Sequence, residues 1–134
     1  RIKALIGESR FQKQFHLLGF REDIPSLLPQ LNVFLFTSET EGLGTSVIDA
    51  FLARVPVVAT RAGGVPELVQ HGETGLLAPV KDSQQLAQLV AETLSDQHAT
   101  QKRIEQAFDG AQQFGKAQMA QQILTAYQTI LLRS

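Results

Sequence analysis

Glu41-Gly42-Leu43-Gly44-Thr45-Ser46-Val47-Ile48-Asp49 puts two acids and two glycines within nine residues, the densest chemistry in this sequence. Gly42 and Gly44 let the backbone come close to a ligand. A helix beginning near Thr45 would present unpaired N–H groups and the positive end of its dipole, which together suit a phosphate. Glu41 precedes that terminus and Asp49 falls about one turn inside it. A carboxylate accepts hydrogen bonds from paired hydroxyls, such as those of a ribose or a hexose. A diphosphate on the amides with a sugar on either side is a nucleotide sugar. A plainer account uses the same residues. Gly-rich turns after strands occur in many folds that bind no nucleotide. Asp49 then completes an S-x-x-D capping box with Ser46, and Glu41 is a solvated loop acid.

Other chemistries find less support. G-L-G-T-S-V echoes the dinucleotide fingerprint G-x-G-x-x-G, but Val47 takes the third glycine position and Gly42 lies six residues beyond Phe36. Thr60 and Arg61 stand where an acid should end the next strand. No G-K-[ST] of a P-loop and no D-x-D occurs. His16, His71 and His98 lack metal-ligand spacing, and each is expected to be a strand-end, turn or surface histidine, with His71 in H-G-E-T-G fitting a turn. Lys102, Arg103 and Lys116 read as a solvated helix face.

The elements that must position these residues fall into two halves. Short unbroken apolar runs fill the front: Ile2–Ile6, Phe15–Leu18, Val33–Phe36, Pro56–Thr60 and Gly75–Ala78. Such runs suit strands of a parallel sheet buried on both faces. Residues 7–14 are too few for a helical crossover between the first two. Asp23 and Pro25 predict a short helix over Ile24–Leu31, and Ser46 with Asp49 predicts one over Thr45–Ala53, with Val47, Ala50, Phe51 and Arg54 at helical spacing. In the back half, Asp82 or Ser83 should cap a helix to about Leu94 that turns Leu86, Leu89, Val90, Thr93 and Leu94 inward. Asp96 should cap a second, with Ile104, Ala107, Phe108 and Ala111 inward. A third is expected over Lys116–Leu132, with Met119, Ile123, Leu124, Tyr127 and Leu131 on one face. Strands alternating with helices give a doubly wound α/β domain, a Rossmann-like parallel sheet with helices on both faces and a C-terminal helical tail.

Composition agrees. The 134 residues are 43% hydrophobic and 19% charged, suited to one globular domain, 1–134. Twelve basic and thirteen acidic residues leave a net charge of −1, against nucleic-acid binding through bulk positive charge. The absence of cysteine excludes disulfide scaffolds, zinc ribbons and thiol chemistry. No apolar run reaches the ~20 residues of a transmembrane segment.

E-G-L-G-T-S-V-I-D-A-F, then P-V-V-A-T-R-A-G-G-V-P-E-L-V, then H-G-E-T-G-L-L-A-P-V, with H-L-L-G-F-R-E-D-I-P-S-L-L-P upstream, resembles the C-terminal half of a GT-B retaining glycosyltransferase of the group-1, family-4 type. The motifs span about residues 14–95 in the expected order. The resemblance implies the donor-binding half of a GT-B fold, with the N-terminal acceptor half absent from this chain. It implies transfer of a hexose from a nucleoside-diphosphate sugar (UDP, GDP or ADP type) to an acceptor sugar or lipid-linked glycan, with retention of configuration. No cofactor and no metal are implied. Glu41 would be the catalytic acid of the family's pair and would meet the donor sugar beside the reacting carbon, and Asp49 would hold the ribose. Gly42, Leu43, Gly44 and Thr45 would give amides to the sugar and diphosphate, and Phe20 and Arg21 would lie beside the base. Gly63, Gly64 and Glu67 would pack the adjacent loop. The implied location is cytoplasmic, with the inner membrane face open to the intact protein as a peripheral site.

Two departures bear on activity. The family usually carries Glu where this chain has Asp49, whose reach is shorter by one methylene, about 1.5 Å. The family's Arg/Lys pair, which neutralises the diphosphate, lies on an earlier loop whose pattern Arg1, Lys3, Arg10 and Lys13 do not match. Such a fragment is expected to be inactive alone. A non-catalytic donor-binding or structural module is the second reading, and a sugar-nucleotide epimerase the third.

Overall fold

Three of the apolar runs become strands. In the computed structural model, which describes residues 2–114 and Thr125, these are β1 (Phe34–Phe36), β2 (Val57–Thr60) and β3 (Leu76–Ala78). All are parallel in the order β1-β2-β3, with Leu35 opposite Val58 and Ala59 opposite Leu77. The central strand is buried at all four positions, the condition an unbroken apolar run is suited to.

Both faces of the sheet are covered by helices, as expected. On one, Val57, Ala59 and Leu77 join Val47, Ala50 and Phe51 of α3 (Thr45–Leu52), Val65 and Leu68 of α4 (Val65–Leu68), and Ala107 and Ala111 of α6 (Gln97–Ala111). On the other, Val58, Leu76 and Ala78 meet Leu89 of α5 (Ser83–Ser95), with Leu86 and Val90 partly buried beside them. Asp82 caps α5, its carboxylate accepting from Gln85 N at 2.9 Å, and Asp96 caps α6 by accepting from Ala99 N at 2.9 Å. Arg54 follows α3 at φ 57° and lays its guanidinium 3.7 Å from the centroid of the Phe108 ring, tying α3 to α6.

Several expectations fail here. Ile2–Ile6 is not a strand but part of helix α1 (Ile2–Glu8), none of it buried. Ile2, Leu5 and Ile6 are spaced i, i+3, i+4, and a short apolar run does not by itself separate helix from strand. Phe15–Leu18 is irregular and exposed, outside the sheet, so residues 7–14 need make no crossover. Asp23 stands at the N-cap of α2 (Ile24–Leu27), its carbonyl accepting from Ser26 N and Leu27 N, but its carboxylate makes no cap because it is taken by Arg21. A 3-10 turn, Leu28–Gln30, completes that segment. Leu94 is exposed rather than inward. Arg103 is 7% exposed rather than solvated, donating to Thr100 Oγ1 at 2.9 Å and pairing with Glu92 at 3.6 Å. Lys102 is exposed as read. Lys116 and the expected helix over Lys116–Leu132 lie outside the described residues. No helix among the described residues is long and apolar enough to cross a membrane.

Candidate donor site at the carboxyl edge of the sheet

Parallel strands send all their outgoing loops to one edge, where open α/β sheets bind ligands. The loop after β1, residues 37–44, carries Glu41 into α3. Gly44 is the N-cap of α3 at φ 67°, left-handed backbone that glycine adopts without strain, and it makes no side-chain cap. The helix therefore starts at Thr45, and the expected capping box does not form. Ser46 already lies inside the first turn, where it cannot serve as N-cap. Val47 N already bonds the Gly44 carbonyl at 2.9 Å, so the Thr45 and Ser46 amides ahead of it are the ones left to meet an anion.

Glu41 is half-buried at the edge of this loop. Its carboxylate accepts from Gly42 N at 3.0 Å and from Ser38 Oγ at 3.5 Å, so it lies back along the loop. Leu43 and Thr45 are exposed. Asp49, on the second turn of α3, is exposed beside a groove of about 460 Å³ formed with Ile24, Pro25, Leu28 and Pro29 across from Leu52 and Ala53. Phe20 and Arg21 precede the wall of that groove. Phe20 is 92% exposed, and Arg21 donates to Asp23 through Nε at 2.6 Å and through Nη2. This pair holds the Asp23 carboxyl below its ordinary range and raises Arg21. The structure thus gathers Glu41, Gly42, Leu43, Gly44 and Thr45 on one turn and sets Asp49 beside α2. Among the described residues, no hydrogen bond or ion pair joins Phe20 or Arg21 to that turn.

The loop after β2 packs against the first, as expected of Gly63 and Gly64. Gly64 N lies 3.3 Å from the Glu41 carbonyl and 3.1 Å from that of Gly42. A Cβ at Gly63 would stand 1.7 Å from the Glu41 carbonyl oxygen, and one at Gly64 2.2 Å from that of Gly42. Only glycine admits this approach. Glu67 is exposed in the first turn of α4. Thr60 was not singled out by its sequence. It is 4% exposed, and its hydroxyl donates to the Ser38 carbonyl at 2.5 Å. The signal available was a hydroxyl at the carboxyl end of an otherwise apolar strand.

The histidines are structural or exposed. His71 Nδ1 accepts from Leu77 N at 2.9 Å and shapes the turn into β3, while His16 and His98 are exposed. A smaller cavity, about 240 Å³ between α3, α4 and α6, is lined by Gln70, Glu73 and Thr74 from the turn before β3, the amino side of the sheet.

Known proteins with the same pattern fit this arrangement. The profile described as "Glycosyl transferases group 1" matches residues 1–109. Among curated proteins, N-acetyl-alpha-D-glucosaminyl L-malate synthase of Bacillus anthracis is 30% identical over 131 residues, 97% of this chain and 34% of that protein. Among solved structures, Anabaena Alr3699/HepE in complex with UDP superposes with a TM-score of 0.89 at 32% identity, over 96% of this chain and 36% of that one. Its complex with UDP-glucose superposes with a TM-score of 0.77 at 36% identity, over 84% of this chain and 31% of that one. The chain spans about a third of the length of each.

Proposed function

This chain belongs to the group 1 glycosyl transferases, and on that premise we propose that it is the donor-binding half of a GT-B enzyme. In this reading it binds a nucleoside-diphosphate sugar, and the intact protein transfers the hexose to an acceptor with retention of configuration. The observation that carries the reading is the turn Glu41–Thr45. It joins a half-buried carboxylate to the open amides at the start of α3, and Asp49 stands one turn further along. UDP and UDP-glucose complexes of a protein with the same fold support it.

Each group has a task in this reading. Amides of the first turn of α3 donate to the diphosphate and stabilise its charge as it departs. Glu41 turns from Gly42 N and Ser38 toward hydroxyls of the donor sugar and fixes its reacting carbon. Asp49 holds the ribose at the mouth of the α2–α3 groove, and Phe20 and Arg21 border the base. Catalysis is then positioning plus charge stabilisation, with no metal or cofactor assigned.

The test is ligand-observed NMR with UDP, GDP and ADP and their glucose, mannose and N-acetylglucosamine esters, on the wild type, Glu41→Ala and Asp49→Ala. One nucleotide should bind selectively. Glu41→Ala should cut transfer by the intact protein about 10- to 100-fold, the worth of one hydrogen bond to a charged group. Unchanged turnover would remove Glu41 from the mechanism. The shorter acid at Asp49 favours one other reading, a donor-binding module without turnover. Tight nucleotide binding with no transfer by the intact protein would select it.

A further inference from the structure

We propose that Thr60 is a positioning residue for Glu41, acting through the backbone of the loop between β1 and α3; this rests on the reading of Glu41 as the group that meets the donor sugar. Thr60 ends β2 and is 4% exposed. Its one hydroxyl proton goes to the Ser38 carbonyl at 2.5 Å, with the Phe36 carbonyl further off at 3.4 Å. Ser38 then reaches on through its own hydroxyl to Glu41 Oε2 at 3.5 Å. The central, fully buried strand of the sheet is thereby linked to the acid in two steps.

A second hold acts further along the same loop. The Gly64 amide lies between the Glu41 and Gly42 carbonyls, with Gly63 backed against Glu41. The backbone of the loop is pinned at Ser38 and again at residues 41 and 42, and the Glu41 carboxylate rests between those pins on Gly42 N and Ser38 Oγ. Of these contacts, the Thr60 bond is the one a side-chain change can remove without altering backbone shape. Valine is β-branched like threonine and suits a strand, but it leaves the Ser38 carbonyl without that donor. A carboxylate that fixes a reacting carbon tolerates little drift, since about 1 Å of misplacement can cost about 100-fold in rate.

The experiment compares wild type, Thr60→Val, Thr60→Ser and Glu41→Ala in the intact natural polypeptide. It measures turnover of a panel of UDP-, GDP- and ADP-linked sugars, inhibition by the matching free nucleoside diphosphate, and amide hydrogen exchange. Thr60→Val should lower kcat about 10- to 100-fold. It should speed exchange across residues 39–42 and leave the first turn of α3 and α5 unchanged. Inhibition by the free nucleotide should stay within about twofold, because a nucleotide without its sugar does not engage Glu41. Thr60→Ser should restore both turnover and exchange. Turnover lost in Glu41→Ala but kept in Thr60→Val, with exchange unchanged, overturns the assignment and leaves the donor site standing. Turnover kept in both variants sinks the donor-site reading and the assignment with it. Equal losses of turnover and nucleotide inhibition, without rescue by serine, would make Thr60 a core residue only.

Discussion

Asp49 sits on an exposed turn of α3 with an apolar groove beside it, so its carboxylate is free to take a diol from solvent. Its side chain is one methylene short of glutamate. Asp49→Glu should therefore keep or tighten nucleotide binding, and Asp49→Ala should weaken it about tenfold, as read by titration with the nucleotide that binds. A large loss in the glutamate variant would instead remove Asp49 from the ribose contact. Across the groove the Arg21–Asp23 pair titrates in a defined direction. Asp23 is lowered in the folded chain by the Arg21 hydrogen bond. Its contribution is therefore present above the ordinary aspartate value of about 3.9 and is lost as pH falls through the depressed folded value. The Asp23 carboxyl carbon followed by NMR should titrate below about 3.9, and Arg21→Gln should return it to that value. An unchanged midpoint would mean the two side chains part in solution.

At the scale of elements, what could be read from sequence depended on whether local signals had competitors. Asp82 and Asp96 cap their helices because each is free to accept an amide three residues on. Asp23 holds the equivalent position at α2, but a guanidinium two residues away binds it first. Val57–Thr60 was legible because burial on both faces leaves an unbroken apolar run. Ile2–Ile6 gave a similar run, yet its spacing also fits a helix and no strand flanks it. The turn proposed to meet the donor was legible from Glu41, Gly42, Gly44 and Asp49, whereas Thr60 was not, since its hydroxyl bonds Ser38, 22 residues away. Arg103 was misread for a related reason. Its partners Thr100 and Glu92 belong to two helices, and only their packing together makes a buried site for a cation. Thr100 Oγ1 also donates to the Thr93 carbonyl at 2.9 Å, so the three residues tie α5 to α6. Arg103→Ala should lower unfolding stability by about 1–3 kcal/mol, read by denaturant titration. Arg103→Met, which keeps the apolar stem, should lose less. Equal losses would place the whole effect in the hydrogen bonds.

Burial divides the whole molecule unequally. Between Ile2 and Asn32 Leu28 alone is buried, while β2 and β3 are buried throughout and α4 is buried at Val65 and Leu68. The turn that carries Glu41 springs from β1 and is held by Thr60 and Gly64, so the candidate site hangs on the enclosed part. Its groove wall comes from α2, in the thinly packed part. Asp49 stands on α3, which shares the buried core, and faces α2, which does not, so α2 is the side of the groove more able to adjust. Amide hydrogen exchange on the 134-residue chain tests this division. Amides of β2 should exchange only through global opening, with protection of a thousandfold or more for about 5 kcal/mol of stability. Amides of α1, seven residues with none buried, should show protection below about tenfold, since helices under about 12 residues are marginal alone. Amides of α2 should fall between, and nucleotide should slow them more than those of β2. Protection in α1 equal to that of β2 would mean that Ile2 and Leu5 are covered in solution and that the stable unit reaches beyond the three-stranded core.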